Sequence, residues 1–192
     1  MHISVLLNES IEGLNLKEDG IYVDCTLGYA GHSSEILKRI RRGCLFAIDQ
    51  DEDAIKASRE RLSKIGDNFT IIKSNFSYLK QELTKRGVTS VDGFLFDLGV
   101  SSVQLDTKER GFSYHSDAFL DMRMDKDGSL TAYDVVNNYP EEKLTNILYK
   151  YGEEKYSRQI ARNIVKYREN KKIETTLELA DIISNSVPMK AK

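Results

Sequence analysis

Tryptophan is absent from the 192 residues, and proline and cysteine occur only twice each. So little proline excludes a polyproline or low-complexity linker protein. Two cysteines are too few for a disulfide scaffold. Cys25 falls near the end of one predicted strand and Cys44 near the start of the next parallel one, beyond the roughly 7 Å limit for bridged Cα atoms. Reduced thiols suit a cytoplasmic protein. No apolar run approaches the about 18 residues of a membrane span. The apolar stretch from Met1 to Leu7 is too short for a secretory signal, and Glu9 and Glu12 follow it closely. The expectation is a cytoplasmic protein with no membrane partner. A strong charge bias is also missing: the net charge is -2, so any RNA binding must rely on local patches. His2, His32 and His115 lack ligand spacing and no nucleophile-base pattern occurs, which predicts neither a metal nor a covalent intermediate.

What is present is ordinary globular material, 40% hydrophobic and 30% charged. It is enough for one good-sized domain, or for one that carries an insertion. Two zones differ in pattern. Up to about Gln104, short β-rich runs alternate with amphipathic stretches, the signature of a parallel α/β sheet. The predicted strands are Ile21 to Cys25, Cys44 to Asp49, Phe69 to Lys73 and Gly93 to Asp97. Ile36, Leu37 and Ile40 mark a first helix, Ile55, Leu62 and Ile65 a second, Leu79 and Leu83 a third. Gly43, Gly66 and Gly87 stand where helix-terminating glycines are expected. A polar stretch from Asp106 to Ser129 follows, and then helices: one opened by Pro140 and closed at Gly152, one over Glu153 to Glu169, one over Thr176 to Ser186. This predicts residues 1–105 as the first half of an α/β domain and 106–192 as an inserted helical domain. The sheet is expected to be incomplete, with the chain ending before the strands that would finish it.

The strand Ile21 to Cys25 runs into Thr26-Leu27-Gly28-Tyr29-Ala30-Gly31-His32-Ser33, and a helix is predicted from near Ser33. Strand, glycine turn and helix form a nucleotide-cofactor arrangement. Glycines let backbone approach a ligand, and the helix N-terminus offers free N–H groups. The same glycines could serve only a tight turn. Asp49, 21 positions beyond Gly28 at the tip of the second strand, can accept hydrogen bonds from two ribose hydroxyls, or with Asp51 it could cap the next helix. The loop lacks the G-x-G-x-x-G of a dinucleotide site. Asp24 would repel a pyrophosphate but attract a cationic ammonium or sulfonium, which favours S-adenosyl-L-methionine. Phe76 and Asp97, at the next two strand ends, are candidates to meet the adenine and the transferred methyl. Phe76 could equally anchor its helix.

From Asp97 the chain reads DLGVSSVQLD, then ERGFSYHSDAFLDMRMD. Together with HISVLLNE, DCTLGYAGHS, AIDQDEDAI and YGEEKYSRQIA, these segments closely resemble the ribosomal RNA small subunit methyltransferase H family, also called MraW. The resemblance covers essentially the whole chain. It implies a class I, Rossmann-like methyltransferase sheet interrupted by a helical substrate domain. The implied reaction is methyl transfer from S-adenosyl-L-methionine to N4 of a cytidine in 16S rRNA of the small ribosomal subunit. The implied cofactor contacts are Ala30-Gly31-His32, Asp49, Phe76, Asp97 and Gln104. The family carries glycine where this chain has Ala30, and its members continue past Lys192.

The exocyclic amine of cytosine is a weak nucleophile, so a catalyst must align it and accept its proton. Asp97 is the first candidate, Asp121 and Asp125 the next. Alternatively, Asp97 caps a turn with Ser101 and Ser102, and Arg123 pairs with its flanking aspartates to brace a loop. Phe112, Tyr114 and Phe119 could stack on a splayed base or form the core of their own loop. Lys155, Arg158, Arg162 and Lys166 share a helix face that RNA phosphates could follow, although such a face could simply be solvated. Rival readings are a methyltransferase acting on a small molecule or protein, a nicotinamide dehydrogenase, and a cofactor-binding chain without turnover. An exposed apolar fourth strand would favour a homodimer.

Overall fold

The computed structural model describes residues 4–188. His2 of the HISVLLNE segment and Lys192 lie outside that range. The described residues form two compact units. One runs up to Gly99 and includes Met124–Lys126. The other comprises Val100–Arg123 and the chain from Asp127 on.

The first unit is a Rossmann-like α/β sheet. Strands β1 (Ile21–Asp24), β2 (Cys44–Asp49), β3 (Phe69–Lys73) and β4 (Gly93–Leu95) are all parallel, in the order β3-β2-β1-β4. Four helices accompany them: α1 (Leu7–Gly13), α2 (Gly31–Arg39), α3 (Glu52–Leu62) and α4 (Leu79–Thr84). Alternation along the strands gives the sheet two apolar faces. Tyr22, Leu45, Ala47, Phe69 and Ile71 pack with Ile36, Leu37, Ile40 and Leu62 of α2 and α3. On the other face Val23, Phe46, Ile48 and Ile72 pack with Leu79 and Leu83 of α4. Right-handed crossovers require this arrangement, since the path from β3 to β4 runs back across the sheet. The switch in direction therefore falls between β1 and β4.

The sequence-based strand ends are one residue long for β1 and two for β4. Of the three expected helix-terminating glycines, only Gly87 has positive φ. Gly43 serves a close approach instead: a Cβ there would lie 2.0 Å from the Gly20 carbonyl oxygen. Cys25 and Cys44 are free thiols.

The second unit contains α5 (Ser102–Asp106), α6 (Ala132–Asn138), α7 (Glu141–Gly152), α8 (Ser157–Arg168) and α9 (Thr176–Ser186). Its core gathers Leu120, Val136, Leu144, Ile160, Ala161, Ile164, Ile173 and Ile182. The buried Asn137 accepts from Ile173 N–H at 3.0 Å and donates to its carbonyl at 2.8 Å, fixing the α8–α9 connection. The Arg168 guanidinium donates to the Val136 and Tyr139 carbonyls at the end of α6, both at 2.6 Å. Helix α8 begins at Ser157, not at Glu153 as the sequence suggested. Glu153 closes α7 in a left-handed conformation, φ 51°, and the Glu154 side chain accepts from Tyr156 N–H at 2.7 Å. No described helix is long and apolar enough to cross a membrane.

Candidate functional site

Register places three carboxylates at one end of the sheet. Asp24 pairs with Ala47 on β2 and with Leu95 on β4. Asp49 therefore ends β2 two residues beyond Asp24's level and on the same face of the sheet, and Asp97 follows the end of β4 by two residues. This is the carboxyl edge beside the switch point, where open α/β sheets bind ligands.

Asp24 does not lie open there. It is 1% exposed, accepting from Thr26 N–H at 3.1 Å and Ser33 Oγ–H at 2.7 Å. Burial pushes its carboxyl above the ordinary carboxylate range, against the two hydrogen bonds and nearby His32. It is the anchor beneath the loop, a position the sequence spacing could not distinguish from direct ligand contact.

Asp49 reaches the loop as well. Its Oδ2 accepts from Gly28 N–H at 2.7 Å and its Oδ1 from Asp51 N–H at 2.9 Å. Asp51, not Asp49, caps α3, accepting from Asp53 N–H at 3.1 Å. Burial raises the Asp49 carboxyl and backbone N–H donors oppose the rise. A carboxylate has about four acceptor directions, so those two bonds leave Asp49 acceptor capacity.

The loop is tied from α3 too. Ser58 Oγ–H donates to Gly28 O at 2.7 Å and Arg61 Nη1 to Tyr29 O at 3.0 Å. Sequence reasoning missed both. Ser58 occupies the apolar stripe set by Ala54, Ile55 and Leu62, and a polar residue there is the signal that could have found it. Gly28 takes φ +49°. Ala30 also takes positive φ, 60°, as the residue before α2, so this helix starts at Gly31 rather than near Ser33. A Cβ on Gly31 would meet Ser4 Oγ at 1.7 Å, so the N-terminal segment passes against the loop. His32 is buried, with Nε2 3.1 Å from Val5 O and Nδ1 4.0 Å from Asp97 Oδ2.

The Asp97 side chain is 48% exposed, and its backbone N–H donates to Thr26 Oγ1 at 2.7 Å. Phe76, 40% exposed, meets Phe96 edge to face at 5.8 Å. It belongs to no core cluster; Leu79 and Leu83 anchor α4 instead. Asn75 Nδ2 donates to Gln50 Oε1 at 3.0 Å, linking the tips of β3 and β2.

The remaining candidates are placed otherwise. Asp125 lies in the segment that packs with the first unit, between Met124, which accepts from Gln50 Nε2 at 3.3 Å, and Lys126, 2.5 Å from Asp53. In the second unit, Asp121 is held at both oxygens by the Arg123 guanidinium, each at 2.8 Å. Those hydrogen bonds keep its carboxyl below the ordinary range. Gln104 is buried in a capping box with Ser101 at the start of α5. Ser101 caps that helix. Phe119 stacks on Tyr133 at 5.4 Å and Tyr114 lies 4.7 Å from His115. Arg110 stands 5.8 Å from the Phe112 ring. On α8, Arg158 and Lys166 are exposed, as is Lys155 just before it, while Arg162 lies 3.9 Å from Glu141.

The model of the MraW methylase family matches residues 1–192. Among solved structures, an rRNA methylase from Streptococcus thermophilus is 24% identical with a TM-score of 0.37, covering 43% of this chain and 50% of its own. A SAM-dependent methyltransferase from Aquifex aeolicus is 16% identical with a TM-score of 0.33, covering 76% of this chain and 78% of its own. This chain thus spans about half the length of the Streptococcus protein. Likeness at that level carries no weight beside the family match.

Proposed function

The chain belongs to the MraW methylase family, and on that premise we propose that it binds S-adenosyl-L-methionine at the carboxyl ends of β1, β2 and β4 and serves methyl transfer to N4 of a cytidine in 16S rRNA of the small ribosomal subunit. The observation that carries this reading is the placing of Asp24, Asp49 and Asp97 around a glycine turn. A phosphate-bearing cofactor would meet repulsion there, whereas an ammonium or sulfonium gains attraction.

The residues fit the group. Asp49 retains acceptor directions for ribose hydroxyls, Phe76 offers an exposed ring for adenine, and the Ala30-Gly31-His32 turn starts α2. When bound, the cofactor supplies an electrophilic methyl. Asp97, half exposed beyond β4, would orient the amine and take its proton as the N–C bond forms and the methyl–sulfur bond breaks, with the neutral thioether as leaving group. Asp121 and Asp125 serve less directly: with both oxygens on Arg123, Asp121 braces its loop rather than accepting a proton. The family resemblance also implies Gln104 as a cofactor contact; in the structure its side chain accepts from Ser101 N–H in the capping box of α5.

We assign substrate recognition to the second unit, with Lys155, Arg158 and Lys166 on phosphates and Arg162 shared with Glu141. Phe94 on edge strand β4 and Phe96 just after it, 46% and 49% exposed, favour self-pairing there; a monodisperse monomer in solution would refute that part.

The test is calorimetric titration with S-adenosylmethionine, its demethylated product and a nicotinamide dinucleotide. The first two should bind and the third should not. Asp49→Ala should weaken donor binding by about 3 kcal/mol, roughly 150-fold, for two hydrogen bonds to a charged acceptor. A folded chain indifferent to the donor, or an Asp49→Ala variant that binds it equally well, refutes the reading.

A further inference from the structure

We infer that the surface of α7 bearing Lys143, Tyr149, Lys150 and Tyr151 is a docking face for single-stranded RNA, separate from the basic stripe of α8. The inference rests on the proposed RNA substrate and specifies how the chain grips it. Helix α7 satisfies its own core with Leu144 and, partly, Leu148. Yet its last turns leave Tyr149 68% and Tyr151 75% exposed. These rings flank a depression of about 520 Å³ lined also by Lys143, Asn146, Ile147 and Lys150.

The lining contains two ammonium groups and no carboxylate. Among the described residues, neither lysine has a carboxylate partner. Both lie near aromatic rings: Lys143 Nζ is 3.7 Å from the centroid of Tyr139, and Lys150 Nζ 5.5 Å from that of Tyr151. Several other cations of this unit are committed. Arg168 caps α6, Lys171 pairs with Glu178, and Arg162 lies near Glu141.

Exposed aromatic faces beside unpaired cations are what an unpaired strand needs, since its bases stack while its phosphates find positive charge. A duplex hides its base faces and gains only the charge. A protein partner would seek a broader aliphatic floor than Ile147 alone supplies.

The test measures binding of an unpaired pyrimidine-rich RNA oligonucleotide and of the same sequence as a duplex, by fluorescence anisotropy at several salt concentrations. Tyr149→Ala and Tyr151→Ala should each weaken single-strand binding by roughly ten-fold, within the range for one lost stack. Tyr151→Phe should retain near wild-type affinity, because it keeps the ring. Lys143→Gln with Lys150→Gln should lower the salt slope by about 1.4, for two phosphates at about 0.7 each on a single strand. Melting of every variant should match the wild type, as these side chains are exposed. Unchanged single-strand affinity in both tyrosine variants, equal affinity for the duplex, or no RNA binding at all overturns the inference. Donor titration of the same samples separates the cases. Donor binding with α7-insensitive RNA binding defeats the α7 face alone, whereas loss of donor binding in the wild type defeats the functional reading as well.

Discussion

Replacing Asp24 separates the cost of burying a charge from the value of the bonds that charge makes. The carboxylate is 1% exposed and serves two donors, Thr26 N–H and Ser33 Oγ–H. Asp24→Ala strands both, at about 1–3 kcal/mol each for a buried unsatisfied group. The loss should be about 2–6 kcal/mol, which for a chain of this length lowers Tm by roughly 4–24 °C. Asp24→Asn keeps the acceptor for Thr26, offers an N–H that a rotated Ser33 hydroxyl can accept, and removes the ion. Because burial raises the folded carboxyl above its unfolded range, the folded state holds the proton more tightly. Asp24's stabilising contribution is thus complete below the ordinary carboxylate range and declines as pH rises from there through the raised folded value. Asp24→Asn should therefore melt no lower than the wild type at pH 7 and show a flatter loss of stability between pH 4 and pH 7. Asp49, also raised by burial, keeps part of that slope in the variant. Thermal unfolding followed by circular dichroism across that range is the assay. If Asp24→Asn melts well below the wild type at pH 7, or falls as far as Asp24→Ala, the charge stabilises the fold and the reasoning is wrong.

Three further outcomes are expected. Ser58→Ala should cost about 1 kcal/mol of stability through the lost bond to Gly28 O and weaken donor binding with it; equal donor affinity would show that this tie does not shape the loop. Arg158→Ala should reduce RNA affinity and its salt slope more than Arg162→Ala, since Arg162 already lies near Glu141; binding that keeps both properties in the double variant removes α8 from the interface. Burial pushes the Cys25 thiol up to about 12, so a thiol reagent at pH 8 should leave Cys25 unmodified in the folded chain and label it after unfolding, as mass spectrometry of the peptides would show.

Much of the α/β unit was legible because its strands are continuous apolar runs ending in polar residues, and because α2 and α3 repeat apolar side chains at helical spacing. The parallel sheet was legible for the same reason. Helices α5 and α6 were not. They have only 5 and 7 residues, too few turns for a periodic stripe, and are set by capping boxes at Ser101–Gln104 and Thr131–Asp134. Helix α1 was missed likewise. The boundary of α8 failed because Glu153 adopts a left-handed conformation that side-chain chemistry does not announce. At the site, spacing located Asp24 and Asp49 on their strand ends and put Asp97 on a strand that stops two residues short of it. It could not tell that Ser33 folds over Asp24, that α3 reaches back to the glycine turn through Ser58 and Arg61, or that Asp121 would have both oxygens on Arg123. Those facts depend on what covers a strand end, which no local pattern records.

The turn at Gly28 is fastened from two directions, by the Asp49 carboxylate on its N–H and by Ser58 on its carbonyl, with Arg61 on the next residue. If the turn receives the proposed donor, such preorganisation spares the nucleoside the entropy of ordering the segment that receives it. Affinity then depends on the contacts themselves, and association should proceed with little structural rearrangement and a small heat-capacity change, set by the adenine surface it covers.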